Sequence, residues 1–353
     1  MKPGCSGSTV LEHRHRVEEE AVALKREVPV EEAIGMTLAH DLTRIVPGEF
    51  KGPAFKKGHV VQEADIPLLL DIGKRYIYVL NLDDDELHEN DGATRMANAL
   101  GGRGLNFTDV HEGKVVMKAA HDGMLWVDEE RVFKMNMIDD ISITTRPSFI
   151  AVTEGTSVAG VRPIPLTVKK DKIEQVERLA QTEENERKAI EVLPYLPQKI
   201  ALVTTGSEVL TGRIQDKFGP SLTNKFASYG MQVESQVMTG DEQERIVEEM
   251  IRAADAGATL ICVTGGMSVD PDDRSPAAIR SAATEVVTYG TPMLPGSMMM
   301  VAYRNNTVIF GLPGAVIYDA MTSFDVILPR VLAGLRVTKA DIARHGVGGW
   351  LNA

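Results

Sequence analysis

From residue 198 onward the chain alternates continuous apolar runs with stretches whose apolar residues recur every three to four positions. KIALV (199–203), LICV (260–263) and TVIF (307–310) are short runs without a polar face, as expected of strands buried in a parallel sheet. Between them lie helical patterns. Leu222, Phe226 and Tyr229 fall on one side of 219–229, with Pro220 near its first turn and Gly230 beyond its end. Ile246, Val247, Met250 and Ile251 share a side of 241–256, where Asp241 and Glu244 are spaced as a capping box and Gly257 stops the helix. Ser275-Pro276 reads as the N-cap and first position of a third helix, and a fourth spans 315–333 with Gly334 after it. Strand–helix alternation of this kind predicts a doubly wound parallel sheet over 198–335.

The first half reads differently. Residues 25–80 form a small α+β unit. It has a short helix from Pro29 to Gly35 with Ala33 and Ile34 inward, a strand at 37–39 and turn-and-strand composition over 44–61. A helix over 65–73 closed by Gly73 and a strand at 76–80 complete it. Asp83–Glu86 is an acidic run expected in a solvated loop. Residues 90–100 are helical and end in Gly101-Gly102-Arg103-Gly104. That cluster follows a helix rather than opening one, so it reads as a turn and not as a phosphate loop. Over 111–168, glycines punctuate short apolar segments, predicting a small β-barrel or sandwich within an 81–168 module. Ile173, Val176 and Ala180 give 169–193 the stripe of a surface helix bridging two domains, and Pro194 and Pro197 end a 169–197 linker. Residues 1–24 and 336–353 read as tails. The fold class expected is therefore α/β, with a C-terminal doubly wound sheet preceded by a smaller β-rich, α+β region.

Each of the three apolar strands runs into a glycine-bearing loop. These loops are Thr204-Thr205-Gly206-Ser207-Glu208, then Thr264-Gly265-Gly266 with Ser268, then Gly311-Leu312-Pro313-Gly314. Glycine lets backbone approach a ligand closely, and free N–H groups and hydroxyls hold phosphate. Carboxylates follow at Asp270, Asp272 and Asp273, past the carboxyl end of a strand, where open α/β sheets bind ligands. Acidic side chains at that place suit a divalent cation that neutralises phosphate. The pattern points to a phosphorylated ligand with a metal in one shared crevice.

Composition narrows the partners. A hydrophobic fraction of 43% and a charged fraction of 25% are those of a globular chain, and a net charge of −12 disfavours nonspecific nucleic-acid binding. No run approaches the roughly 20 apolar residues of a membrane span, and the N-terminus lacks the apolar core of a signal peptide. Cys5 and Cys262 do not read as a pair; a reducing cytoplasm fits. His13 and His15 have no further metal ligand nearby in sequence.

Five segments in order, TTGSEVL (204–210), GDE (240–242), TGGMSVDPDD (264–273), LPGSM (294–298) and GLPG (311–314), resemble the molybdopterin-binding domain. Molybdopterin adenylyltransferases and molybdenumtransferases of the MogA/MoeA group share that domain. VPVEEAIGMTLAHDL (28–42) resembles the start of the molybdenumtransferases. The resemblance implies adenylylated molybdopterin as ligand, molybdate and Mg²⁺, release of AMP, a dimer or trimer, and a molybdoenzyme as acceptor. By motif it carries the catalytic and metal-holding roles to Glu208, Asp241 and Asp273, with Asp272 beside them. The ligand-binding roles fall to Thr204, Thr205, Gly206, Ser207, Gly265, Gly266, Ser268, Pro295, Gly296, Ser297, Gly311, Pro313 and Gly314. The chain departs from the family's pattern at Ser207, in place of an aspartate, at Ser297-Met298, in place of Lys-Pro, at Phe218, in place of an asparagine, and at Ala315-Val316. SVDPDD is also similar to the CinA-like branch. Three readings stand: a transferase of molybdenum cofactor assembly, a non-enzymatic molybdopterin carrier or sensor, and a CinA-like nucleotide pyrophosphatase.

Overall fold

The computed structural model describes residues 25–46, 50–80, 82–181, 187–268, 270 and 273–351. Asp272, Cys5, His13 and His15 lie outside the described residues. One six-stranded sheet organises the C-terminal half. Its spatial order is Val233–Thr239, Ile200–Thr205, Leu260–Thr264, Thr307–Leu312, Met300–Arg304, Glu285–Tyr289. The first four strands are parallel and the last two antiparallel, so the expected parallel sheet is present with an added antiparallel edge.

Alternating side chains of these strands feed two cores, as the period of two in a strand requires. Leu202, Cys262 and Phe310 pack with Phe226, Phe324 and Leu328 on one face; Val203, Ile261 and Ile309 pack with Ile246, Met250 and Ile279 on the other. Phe324 meets Phe226 and Phe310 edge to face at 5.9 and 5.2 Å. Cys262 is fully buried, and burial pushes its thiol pKa up, so it packs as a small hydrophobe. The three strands with glycine-bearing ends are immediate neighbours, with Thr204 beside Thr264 and Thr264 beside Leu312. Strands lie about 4.8 Å apart, so their following loops emerge side by side. This register places the site.

Several expected elements differ in detail. The fourth helix is broken into Ala315–Tyr318 and Ser323–Leu332, because Thr322 and Asp325 form a capping box that starts a new helix. The expected C-terminal tail contains the helix Lys339–Arg344. In the small N-terminal unit, Tyr76–Leu80 lies between Lys25–Pro29 and Thr37–Leu38. Ala33 is buried as expected, but Ile34 is 50% exposed, because only Val30–Glu32 closes as a 3₁₀ turn.

Between these halves, residues 86–194 combine strands with the helices Glu89–Leu100, Glu129–Asn136 and Lys170–Ala180. Four strands form the order Ile141–Thr145, Ser157–Pro163, Val115–Ala119, Leu105–Phe107. The acidic run ends in a short strand, Glu86–His88, rather than remaining loop throughout. The bridging surface helix expected over 169–193 is corrected. Among the described residues of that stretch, only Lys170–Ala180 is helical, and its stripe of Ile173, Val176 and Ala180 is buried in the same core as Met96 and Leu100. Ile190–Pro194 is a strand paired antiparallel with Gly123–Val127. Its four leading residues are all buried, a two-sided burial that a helical stripe does not produce. Among the described residues, no helix is long and apolar enough to cross a membrane.

Candidate functional site

The loop after Leu260–Thr264 carries Gly265 and Gly266, with φ of 88° and 55°. Both lie in the left-handed region that side chains other than glycine rarely adopt. A Cβ on Gly265 would sit 2.4 Å from the Thr205 carbonyl oxygen, so the first two loops are already in contact. Ser275 ties them together. Its hydroxyl donates to the Gly265 carbonyl at 2.7 Å and lies 3.3 Å from the Thr205 hydroxyl. Ser275 is thus the first residue of its helix rather than the expected N-cap, which is Arg274.

The same loop is held from outside. The Tyr289 hydroxyl reaches the Met267 carbonyl at 3.0 Å and that of Ser268 at 3.3 Å. Burial raises the Tyr289 pKa, with Asp273 adding to the shift against Arg280, so the phenol is a donor at neutral pH. Asp273 Oδ2 accepts from the Ser268 N–H at 2.9 Å. Tyr289→Phe is expected to lower stability by about 1 kcal/mol and to weaken ligand binding several-fold, because the loop loses its outer tether. Thermal unfolding together with a binding titration checks this; unchanged affinity would mean the loop is held without Tyr289.

A cavity of about 280 Å³ opens at these strand ends. Gly265, Gly266, Ser268, Asp273, Pro313 and Gly314 line it, so six of the residues singled out by sequence meet there. Met298, Phe218, Met267 and Leu312 complete the lining. Gly311 lies beneath, within its strand, where a Cβ would come 2.5 Å from the Met267 methyl. Pro295, Gly296 and Ser297 do not line the cavity. The Gly296 carbonyl accepts from the Ser323 hydroxyl at 2.7 Å and the Ser297 carbonyl from the Thr291 N–H at 2.8 Å.

The TTG loop contributes as scaffold. Thr204 and Thr205 are buried, and the Thr204 hydroxyl accepts from Thr264 at 3.3 Å and from Gln236 Nε2 at 3.2 Å. Gly206, Ser207 and Glu208 turn directly into the short helix Ser207–Leu210 and do not line the cavity. Asp241 corrects its expected helix-capping place. The helix is Gln243–Asp255 with Glu242 at its N-cap, and Asp241 Oδ2 instead accepts from the Ser207 N–H at 2.9 Å and hydroxyl at 2.7 Å. With an acidic residue at 207 these two carboxylates would face each other; with serine, Asp241 is a hydrogen-bond acceptor for the neighbouring loop.

Among the described residues, no three His, Cys, Asp or Glu side chains are gathered to hold a metal. Glu208, Asp241 and Asp273 therefore do not form a ready cage, and only Asp273 lines the crevice. Besides Tyr289, two supporting residues were not singled out by sequence. Asp216 accepts from the N–H groups of Phe218 and Gly219, at 2.8 and 3.1 Å, at the start of the Phe218–Ala227 helix. Gln236 bridges Asp216, at 2.6 Å, to Thr204. An aspartate two residues before a helix is a readable capping signal; the glutamine and Tyr289 carry none, because their partners are distant in the chain.

Residues 201–333 match the family described as a probable molybdopterin binding domain, and residues 27–81 match one described as a domain of unknown function (DUF8806). Molybdopterin molybdenumtransferase of Staphylococcus epidermidis is 29% identical over 122 residues, covering 33% of this chain and 29% of that protein. A CinA-like protein of Mycolicibacterium gilvum is 36% identical over 75 residues, covering 21% of this chain and 18% of the other. The chain thus matches less than a third of the length of either relative. Among solved structures, the molybdopterin biosynthesis enzyme MoaB of Thermus thermophilus is 24% identical with a TM-score of 0.35, covering 39% of this chain and 97% of that one. The resemblance of the C-terminal half to molybdopterin-binding domains is borne out over residues 201–333.

Proposed function

We propose that the crevice binds molybdopterin in its adenylylated form, and that the chain acts in molybdenum cofactor assembly by admitting molybdate with Mg²⁺ and releasing AMP. The observation that carries this reading is the meeting of Gly265, Gly266, Pro313 and Gly314 with Asp273 in one cavity at the ends of neighbouring parallel strands. Backbone N–H groups of glycine-bearing loops can hold phosphate, and the left-handed φ of Gly265 and Gly266 supports a close approach of backbone to the ligand.

The residues present do not offer a cation a complete set of protein ligands. Mg²⁺ commonly takes one or two carboxylates together with substrate phosphates and water, so Asp273 with the ligand's phosphate is the set that suits it. Asp273 keeps Ser268 in place, Ser275 and Tyr289 fix the loop, and Met298 with Phe218 gives the cavity an apolar wall for a flat ring. A homo-oligomer and a molybdoenzyme acceptor belong to the same proposal.

Two observations favour the carrier reading. Asp241 is engaged by Ser207, and serine and methionine stand at 297 and 298, where a lysine would meet phosphate. The test is to purify the full chain, measure binding of adenylylated molybdopterin, and follow AMP release on adding molybdate and Mg²⁺. The transferase reading predicts tight binding with AMP release that needs both additions. Tight binding without release leaves the carrier, and hydrolysis of ADP-ribose without pterin binding selects the pyrophosphatase.

A further inference from the structure

A second and larger cavity, about 730 Å³, lies between residues 126–149 and the C-terminal helices, and no residue lines both it and the crevice. One wall is aromatic. Trp126 and Phe149 meet edge to face at 5.5 Å, and Phe133 stands beside them 65% exposed. The C-terminal helices contribute Arg330, Arg344 and His345. The Arg330 guanidinium lies over the Phe149 ring at 4.1 Å and pairs with Asp341 at 3.0 Å.

Two features of these walls cost the fold free energy. Phe149 has φ of 68°, an outlier for a bulky residue, and its N–H is anchored on the Leu125 carbonyl at 2.7 Å. Arg330 Nε and Trp126 Nε1 are buried donors with no hydrogen-bond partner among the described residues. Strain and unmet donors at the walls of a cavity between two parts of a chain are what a ligand site carries.

The charges sort by availability. Asp128 accepts from the Arg131 N–H and pairs with its side chain, and Glu130 pairs with Lys134 at 2.7 Å. Asp341 is taken by Arg330 and Thr338. Among the described residues this leaves Glu129 on the aromatic side and Arg344 on the other without an ion pair.

We propose that this cavity is a second small-molecule site, taking a planar heteroaromatic ring with amino donors and one anionic group. A nucleoside monophosphate and a pterin carboxylate share that chemistry. The ring lies against Phe133 and Trp126, its amino group donates to Glu129, and its anion meets Arg344 with His345 beside it. The site does not depend on the function proposed for the crevice.

Calorimetric titration of the full chain with AMP, pterin-6-carboxylate, adenosine and ribose 5-phosphate tests this, with fluorescence of the full-length Trp350→Phe variant, in which Trp126 is the remaining tryptophan, as the positional readout. One or both ring-plus-anion probes are expected to bind with Kd below about 1 mM, and adenosine and ribose 5-phosphate roughly ten-fold more weakly. Which of the two probes binds identifies nucleotide or pterin. Phe133→Ala and Arg344→Ala, both at exposed positions, are expected to raise Kd roughly ten-fold each. Gly266→Val, in the crevice, should leave this binding in place. No heat from either ring-plus-anion probe, or affinity unchanged in both cavity variants, overturns the proposal.

Discussion

Gly265→Val is expected to abolish molybdopterin binding and to cost about 2–3 kcal/mol of stability in the C-terminal half. The Cβ would stand 2.4 Å from the Thr205 carbonyl oxygen and 2.7 Å from its hydroxyl, and the first of these is backbone that no rotamer change can clear. The φ of 88° adds strain for a β-branched residue. Thr205 would have to shift, and with it the Ser275 contacts that join the two loops. Denaturant unfolding and a binding titration read the two effects. Gly314→Ala separates them: its φ is −55° and nothing lies within 4 Å of the new Cβ. That variant should keep its stability, so any loss of affinity in it reports ligand approach. Valine at 265 with full affinity would remove the glycine loop from the binding site.

Asp273→Asn is expected to lower metal-dependent AMP release about 100-fold or more while leaving the fold intact. Asparagine keeps an oxygen that can accept from the Ser268 N–H, so the loop geometry is retained. What is lost is the charge of the one carboxylate that lines the crevice among the described residues. Single-turnover assays across a Mg²⁺ series, with thermal unfolding as control, separate chemistry from folding. Unchanged turnover would take Asp273 out of the mechanism. A matched loss in Asp241→Asn would contradict the assignment of Asp241 as a tether for Ser207.

The sheet and the meeting of its loops were legible because both follow from short-range pattern. Unbroken apolar runs mark strands buried on both sides, and a glycine pair right after one marks a close approach. Gly265, Gly266, Pro313 and Gly314 come together for that reason. What sequence left unread depends on partners far along the chain. Asp241 and Glu244 have capping-box spacing, yet Ser207, more than thirty positions earlier, takes the Asp241 carboxylate. Tyr289 holds Met267 from a strand on the antiparallel edge of the sheet, which no local periodicity announces. The stripe of Ile173, Val176 and Ala180 identified a helix correctly but could not say whether it faced a linker or a core. The 730 Å³ cavity left no local motif, since its aromatic and cationic walls are about 200 residues apart in the chain.

On the proposed function, one ligand touches the loops after two neighbouring strands at once. Amide hydrogen exchange of the full chain, with and without molybdopterin, tests it most directly. The ligand is expected to slow exchange at Gly265–Ser268 and at Gly314 together, with both effects lost in Gly265→Val. Slowing confined to residues outside 201–333, or to only one of the two loops, would contradict it.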